Sequence, residues 1–369
     1  MSLNIGFRSP EQWEQLAKAH LDKGAFDYIQ TGAGAEETLQ ANIDGFKQWK
    51  IVPRVMRDVS SVDVSTSIFG ERASMPVSLA PVGFQTIIHP DGELAAAKAA
   101  AAQQVPYTVS TVSTYSMEEI AEAMGNAPRF FQLYWPSDDD IALSFIRRAE
   151  QNGFSAIFVT VDTPMLGWRE QDKQNQYFPL RKGEGLGNYL TDPIFTEKTL
   201  ASREGTEQTI AEVASRLFNR SLTWEKINWL RKQTKLPIVA KGIVHPEDAK
   251  LAVEVGLDGL VVSNHGGRQL DGSISSIEAL PAVKEAVGND IQILFDGGIR
   301  RGADIVKALA LGADSILIGR LYAYGLINGQ AGVMHVIAQL KEELETSLVL
   351  TGESSLASLQ QATLVRAQK

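Results

Sequence analysis

With 369 residues, 44% of them hydrophobic and 21% charged, the chain has the makeup of an ordinary globular protein, long enough for one large α/β barrel with extensions. A net charge of −9 argues against a general nucleic-acid or acidic-membrane binder, while leaving room for a local basic pocket that takes one phosphate. Cysteine is absent, which removes disulfides, thiolate metal sites, iron–sulfur clusters and cysteine nucleophiles; redox chemistry would have to come from a bound organic cofactor.

Residues 1–70 read as a helical preface. Short β-branched or apolar runs then alternate with amphipathic stretches, the pattern of parallel βα units. Predicted strands cover 75–81, 107–111, 129–134, 156–162, 237–242, 259–264, 292–298 and 315–320, with helical patterns at 92–104, 138–152, 246–255, 303–311 and 332–350 among them. Eight such repeats predict one domain: a closed (β/α)₈ TIM barrel over 71–350, followed by a tail over 351–369. The stretch 163–222 far exceeds the usual connection of about 2–6 residues, so it is read as a long lid loop inserted after the fourth strand. No run approaches the roughly 20 apolar residues of a membrane span. The start lacks a signal-peptide core and the end is not a Ser-Lys-Leu address, so a cytoplasmic protein is expected.

Barrel active sites sit at the C-terminal ends of the strands, and here those ends are chemically loaded. In strand order they carry Pro81 and Val82, Ser110, Gln132 and Tyr134, Thr160 and Asp162, Lys241, then Ser263 with His265. Few of these suit a strand buried in an apolar core. The last two strands run into Asp296-Gly297-Gly298-Ile299-Arg300-Arg301 and Gly319-Arg320. Glycines let backbone N–H groups approach phosphate oxygens, and arginine adds paired donors, so these turns are candidates for a phosphate site. After the sixth strand, Ser263-Asn264-His265-Gly266-Gly267-Arg268 places a proton acceptor three residues from a carboxylate fork. A substrate bearing a carboxylate and a removable proton fits that pair.

Together with Phe26-Asp27-Tyr28, Phe130-Phe131-Gln132-Leu133-Tyr134, Thr160-Val161-Asp162-Thr163-Pro164 and Lys241-Gly242, these motifs run in order along nearly the whole chain. In that order they resemble the FMN-dependent L-2-hydroxy acid oxidase family. The resemblance implies FMN as cofactor, a small L-2-hydroxy acid as substrate, O₂ as acceptor and a homotetramer. It implies that His265 takes the hydroxyl proton while the α-hydrogen leaves as hydride, a carbanion route being the alternative, and that Asp162 pairs with the imidazolium. Arg169 and Arg268 would clamp the carboxylate, with Tyr28 and Tyr134 donating hydrogen bonds. Lys241 would sit beside the flavin ring, contacted also by Pro81, Val82, Gly83, Ser110, Gln132 and Thr160. Ser263, Asp296, Gly297, Gly298, Arg300, Gly319 and Arg320 would hold the ribityl chain and phosphate.

Within the family, Val112 stands where glycolate oxidases carry Trp, leaving room for at least a methyl group. That and the stretches around Trp135-Pro136 and Leu166-Gly167-Trp168 resemble the lactate oxidase and lactate 2-monooxygenase branch, although Leu321 departs from the usual proline. The expected reaction is L-lactate to pyruvate with peroxide formed. The alternatives are the monooxygenase outcome, a glycolate or other hydroxy acid substrate, and a different acceptor.

Overall fold

Eight short buried strands close into a parallel barrel in which each pairs with its neighbour in sequence: β1 Val77–Leu79, β2 Tyr107–Ser110, β3 Arg129–Leu133, β4 Ile157–Thr160, β5 Ile238–Ile243, β6 Gly259–Val262, β7 Gln292–Phe295 and β8 Ser315–Ile318. The ring shuts where β8 pairs with β1, Ile316 opposite Val77 and Ile318 opposite Leu79. The computed structural model describes residues 6–199, 207–360 and 362–367, so parts of the predicted preface, lid and tail lie outside the described residues.

Alternate strand residues face opposite sides, and both sides are apolar, as expected for strands covered by helices. The inward set, Phe130, Phe158, Val239, Val261, Leu294 and Leu317, fills the barrel. Phe69, on the turn between the antiparallel strands Thr66–Ile68 and Glu71–Ala73, plugs its N-terminal end edge-on to Phe130 and Phe158, each at 5.8 Å. The plug explains why position 259 is glycine: a Cβ there would meet Phe69 Cζ at 2.5 Å. The outward set packs on helices α1 Gly92–Gln103, α2 Met117–Met124, α3 Asp139–Gln151, α4 Trp224–Arg231, α5 Pro246–Glu254, α6 Ser276–Val287, α7 Gly302–Ala310 and α8 Gly329–Thr351. Alanines at 95–97, 99 and 100 let α1 lie close along α8.

Several predicted strands run past the observed ladder. Tyr134, Asp162, Ser263 and Asp296 each lie one or two residues beyond it, because the chain turns outward there to form the site's rim. The preface is not wholly helical, since Trp49–Ile51 pairs antiparallel with Leu364–Arg366. The stretch read as a long lid loop contains helices among its described residues: Glu170–Gln174, Gly187–Leu190, Pro193–Thr199 and Glu207–Arg216. Its base is rooted by the buried Arg148 of α3, which bonds Asp192 at 3.1 Å and the Asn188 carbonyl at 2.7 Å. Among the described residues no helix is long and apolar enough to cross a membrane.

Candidate active site

The C-terminal ends of the strands open into a cavity of about 1120 Å³, counting the solvent at its mouth. The turn after β1 contributes Pro81, Val82 and Gly83, β3 contributes Gln132 and Tyr134, β4 Thr160, and β5 Lys241. His265 and Arg268 enter after β6, Asp296 to Arg300 after β7, Gly319 and Arg320 after β8. Two walls come from outside the barrel: Tyr28 and Ile29 from the helix Lys23–Gln30, and Arg169 from the insertion.

His265 lies in the left-handed backbone region, φ 59°, where a side chain costs about 1–3 kcal/mol unless its surroundings hold it. They do. Its backbone N–H donates to Ser263 Oγ at 3.0 Å, and its ring Nδ1 lies 2.9 Å from Asp162 Oδ1. With Nδ1–H given to the carboxylate, Nε2 keeps its lone pair and points at the cavity, 3.3 Å from the Tyr134 hydroxyl. Burial lowers the imidazole pKa below its usual value; Asp162 partly offsets this, and the Lys241 and Arg169 charges add to it. Burial alone would raise the Asp162 pKa, but His265 and Lys241 hold it below the ordinary carboxylate range. The ground state is therefore a neutral imidazole backed by a carboxylate, ready to accept one proton.

Facing it are two guanidinium groups over one ring: Arg268 lies 4.9 Å and Arg169 6.0 Å from the centre of Tyr28. Their hydrogen bonds run to backbone carbonyls. Arg268 Nη1 donates to Thr31 O at 2.7 Å and Arg169 Nε to Arg268 O at 3.3 Å. Burial and the neighbouring Arg169 pull the Arg268 pKa down to about 10. Asp172 is near enough to be felt by both, yet no carboxylate among the described residues is within ion-pair distance of either, which leaves the pair a socket for a carboxylate.

On the other side Lys241 bonds Asp296 at 2.9 Å and Ser263 Oγ at 3.0 Å. Burial works to lower its pKa, yet the Asp296 and Asp162 carboxylates raise it, so the ammonium stays charged. Arg320 donates to the carbonyls of Ile29, Gln30, Thr31 and Gly266, and burial together with Arg268 and Arg300 brings its pKa down to about 9. At Gly298, φ 84°, a Cβ would fall 2.0 Å from Asn42 O, so only glycine lets this turn bear on the preface. Buried Asp296 Oδ1 has no hydrogen-bond partner. An orphaned acceptor for a hydroxyl, an anion-poor arginine cluster and glycine turns opening a helix match the ribityl chain and phosphate of FMN.

Ser110 and Ser263 stand directly behind the lining residues: Ser110 Oγ donates to Gln132 Oε1 at 3.2 Å, and Ser263 serves Lys241 and His265. Asp162 also stands behind the wall, where its assigned pairing with His265 puts it. The sequence reading missed Phe84 and Ile29, which line the cavity, and the carbonyls of residues 29–31 that hold Arg320. The adjacent Phe26-Asp27-Tyr28 motif was the available signal for the second group.

The family model for FMN-dependent dehydrogenase matches residues 17–366. The chain belongs to that family. Among the family's relatives, an L-lactate oxidase from Lysinibacillus sphaericus is 47% identical over 97% of this chain and 93% of its own. A 2-hydroxyacid oxidase 1 from Mus musculus is 42% identical, over 96% and 95%. The crystal structure of a mandelate oxidase superposes with a TM-score of 0.89 at 37% identity, covering 99% of this chain and all of that one. FMN is the cofactor of this dehydrogenase-family protein, and its reaction is oxidation of a 2-hydroxy acid.

Proposed function

We propose that the protein oxidises small aliphatic L-2-hydroxy acids, L-lactate foremost, to the 2-oxo acid, with O₂ accepting the electrons and leaving as peroxide. The observation that carries the substrate choice is Val112, which lines the cavity beside the turn after β1 where a larger side chain would take up space. The likeness to an L-lactate oxidase supports it. When bound, FMN supplies the two-electron acceptor for the hydride and the route from it to oxygen. The protein's own groups do the rest. Arg169 and Arg268 seat the carboxylate, and Tyr28 and Tyr134 orient carboxylate and hydroxyl. His265 Nε2 takes the hydroxyl proton, while Asp162 stabilises the imidazolium so formed. Lys241 would place positive charge on the cofactor side, Arg300 and Arg320 would meet the phosphate, and the inserted stretch after β4, which carries Arg169 to the cavity, would act as lid.

Two hands of substrate cannot both satisfy the arginine pair and His265, so L-lactate reacts and D-lactate does not. The reading includes a homotetramer, which the family resemblance supports, in the cytoplasm; light scattering and fractionation check the two. The deciding experiment measures peroxide, acetate and 2-oxo acid from a panel of L-2-hydroxy acids with the purified yellow protein. Peroxide matched by pyruvate supports the oxidase; acetate in place of peroxide makes it a monooxygenase, and glycolate preferred over lactate moves the substrate.

A further inference from the structure

Behind the turn that follows β1 lies a polar cluster that the reaction does not use. Glu93, in the first turn of α1, is fully buried. Its Oε1 accepts from the backbone N–H of Gln85 at 3.0 Å and of Thr114 at 3.1 Å, which ties the turn after β1 to the turn after β2. Gln85 Nε2, with two hydrogens to give, lies within hydrogen-bond distance of three acceptors, the Val82 carbonyl at 2.8 Å and the hydroxyls of Tyr107 at 2.8 Å and Tyr322 at 3.1 Å. The Tyr322 hydroxyl donates to the Ala80 carbonyl at 2.9 Å. Carbonyls on both sides of Pro81 are thus fixed from behind, and Ala80 to Phe84 form a wall of the cofactor cavity.

The hydrogen atoms do not suffice if Glu93 is ionised. Two buried acceptors of the cluster, Glu93 Oε2 and Gln85 Oε1, have no donor. The Tyr322 hydrogen is committed to Ala80, and no hydroxyl or amide hydrogen among the described residues reaches either oxygen. One more hydrogen is needed. No lysine or arginine pairs with Glu93 among the described residues; Tyr107 and Tyr322 face it, and Glu184 stands one layer out, holding the Thr86 and Thr114 hydroxyls.

We infer that Glu93 is a neutral carboxylic acid whose proton completes this cluster, and that it is a positioning residue which holds residues 80–85 against FMN. Burial, only partly opposed by backbone hydrogen bonds, pushes its pKa up to about 7, in keeping with that form. An unpartnered buried anion there would be far more costly than the acid.

The inference rests on FMN being the cofactor, and its test has readouts apart from activity. In Glu93→Gln an amide replaces the acid one for one, donating where the acid's proton does. The holoenzyme of that variant should keep FMN through repeated ultrafiltration as wild type does, whereas Glu93→Ala, missing buried hydrogen bonds, should lose it about tenfold more readily. Because the folded acid keeps its proton from pH 4.5 to about 7 while the unfolded chain releases it, this contribution to stability shrinks as pH rises across that window. The stability of Glu93→Gln relative to wild type should therefore grow over the same window. Infrared difference spectra of wild type minus Glu93→Gln at pH 6 should show a protonated carboxyl C=O band. A Gln variant that sheds FMN as Ala does, or a difference spectrum with a carboxylate band only, would overturn the inference and leave the cofactor assignment standing. Wild-type protein from which no FMN could be recovered would instead sink the cofactor reading and this inference with it.

Discussion

The two ends of the barrel are built from the same strands on opposite principles. At the N-terminal end Phe69, Phe130 and Phe158 pack edge and face within 6 Å of one another, and the space is closed by apolar contact. At the C-terminal end a histidine sits in strained backbone, four arginines crowd with no carboxylate among the described residues in ion-pair contact, and a buried carboxylate oxygen lacks a donor. The first arrangement lowers the free energy of the empty protein. The second raises it, and the deficit is recovered only when an anionic cofactor and an anionic substrate arrive. Stability and chemistry are therefore separable by position along one strand.

The strongest challenge to this contrast is His265→Ala. Loss of a placed general base should slow anaerobic reduction of the flavin by about 10²–10⁴, followed by stopped-flow absorbance, with flavin content and melting temperature little changed. At the opposite end, Phe158→Ala should cost about 3–5 kcal/mol in urea unfolding while the turnover of each remaining FMN-loaded molecule stays near wild type. A large fall in turnover would show that the plug also sets the site. Val112→Trp sharpens the contrast inside the cavity. It should depress L-lactate relative to glycolate by about 10- to 200-fold in kcat/KM, and an unchanged ratio would remove Val112 from the substrate pocket.

The smallest effect concerns pH. Since His265 works as the neutral ring and its pKa is held below 6.5, the rate of flavin reduction should be level at and above neutrality. It should fall, one proton at a time, only on the acid side. A decline beginning well above pH 6.5 would contradict the burial seen around the ring.

How far the sequence disclosed this arrangement depended on the range of the interactions. Strand-end residues such as Gln132, Thr160 and Lys241 were legible because local alternation fixes which way they face, and a polar group there needs a reason. His265 and Arg268 were legible from spacing on one short turn. The hydrogen bonds of Ser110 and Ser263 to Gln132 and Lys241 were not legible, since which neighbour a hydroxyl meets is decided by packing across strands. The helices of the insertion were hidden because each is short and owes its form to tertiary anchors such as Arg148 and Asn188. Phe84 and Ile29 reach the cavity through contacts remote in sequence, which no periodic pattern announces.

The pairing of Trp49–Ile51 with Leu364–Arg366, and of β8 with β1, also has a bearing on how the protein is made. A ribosome delivers the first strands long before their last partners, so until β8 emerges the sheet is open, with both of its edges unpaired. The wall formed by Gly319 and Arg320 is among the last parts to emerge. Cofactor capture is thereby a late event, and a chain truncated before β8 would reach the cell with its barrel unsealed and its flavin site unfinished.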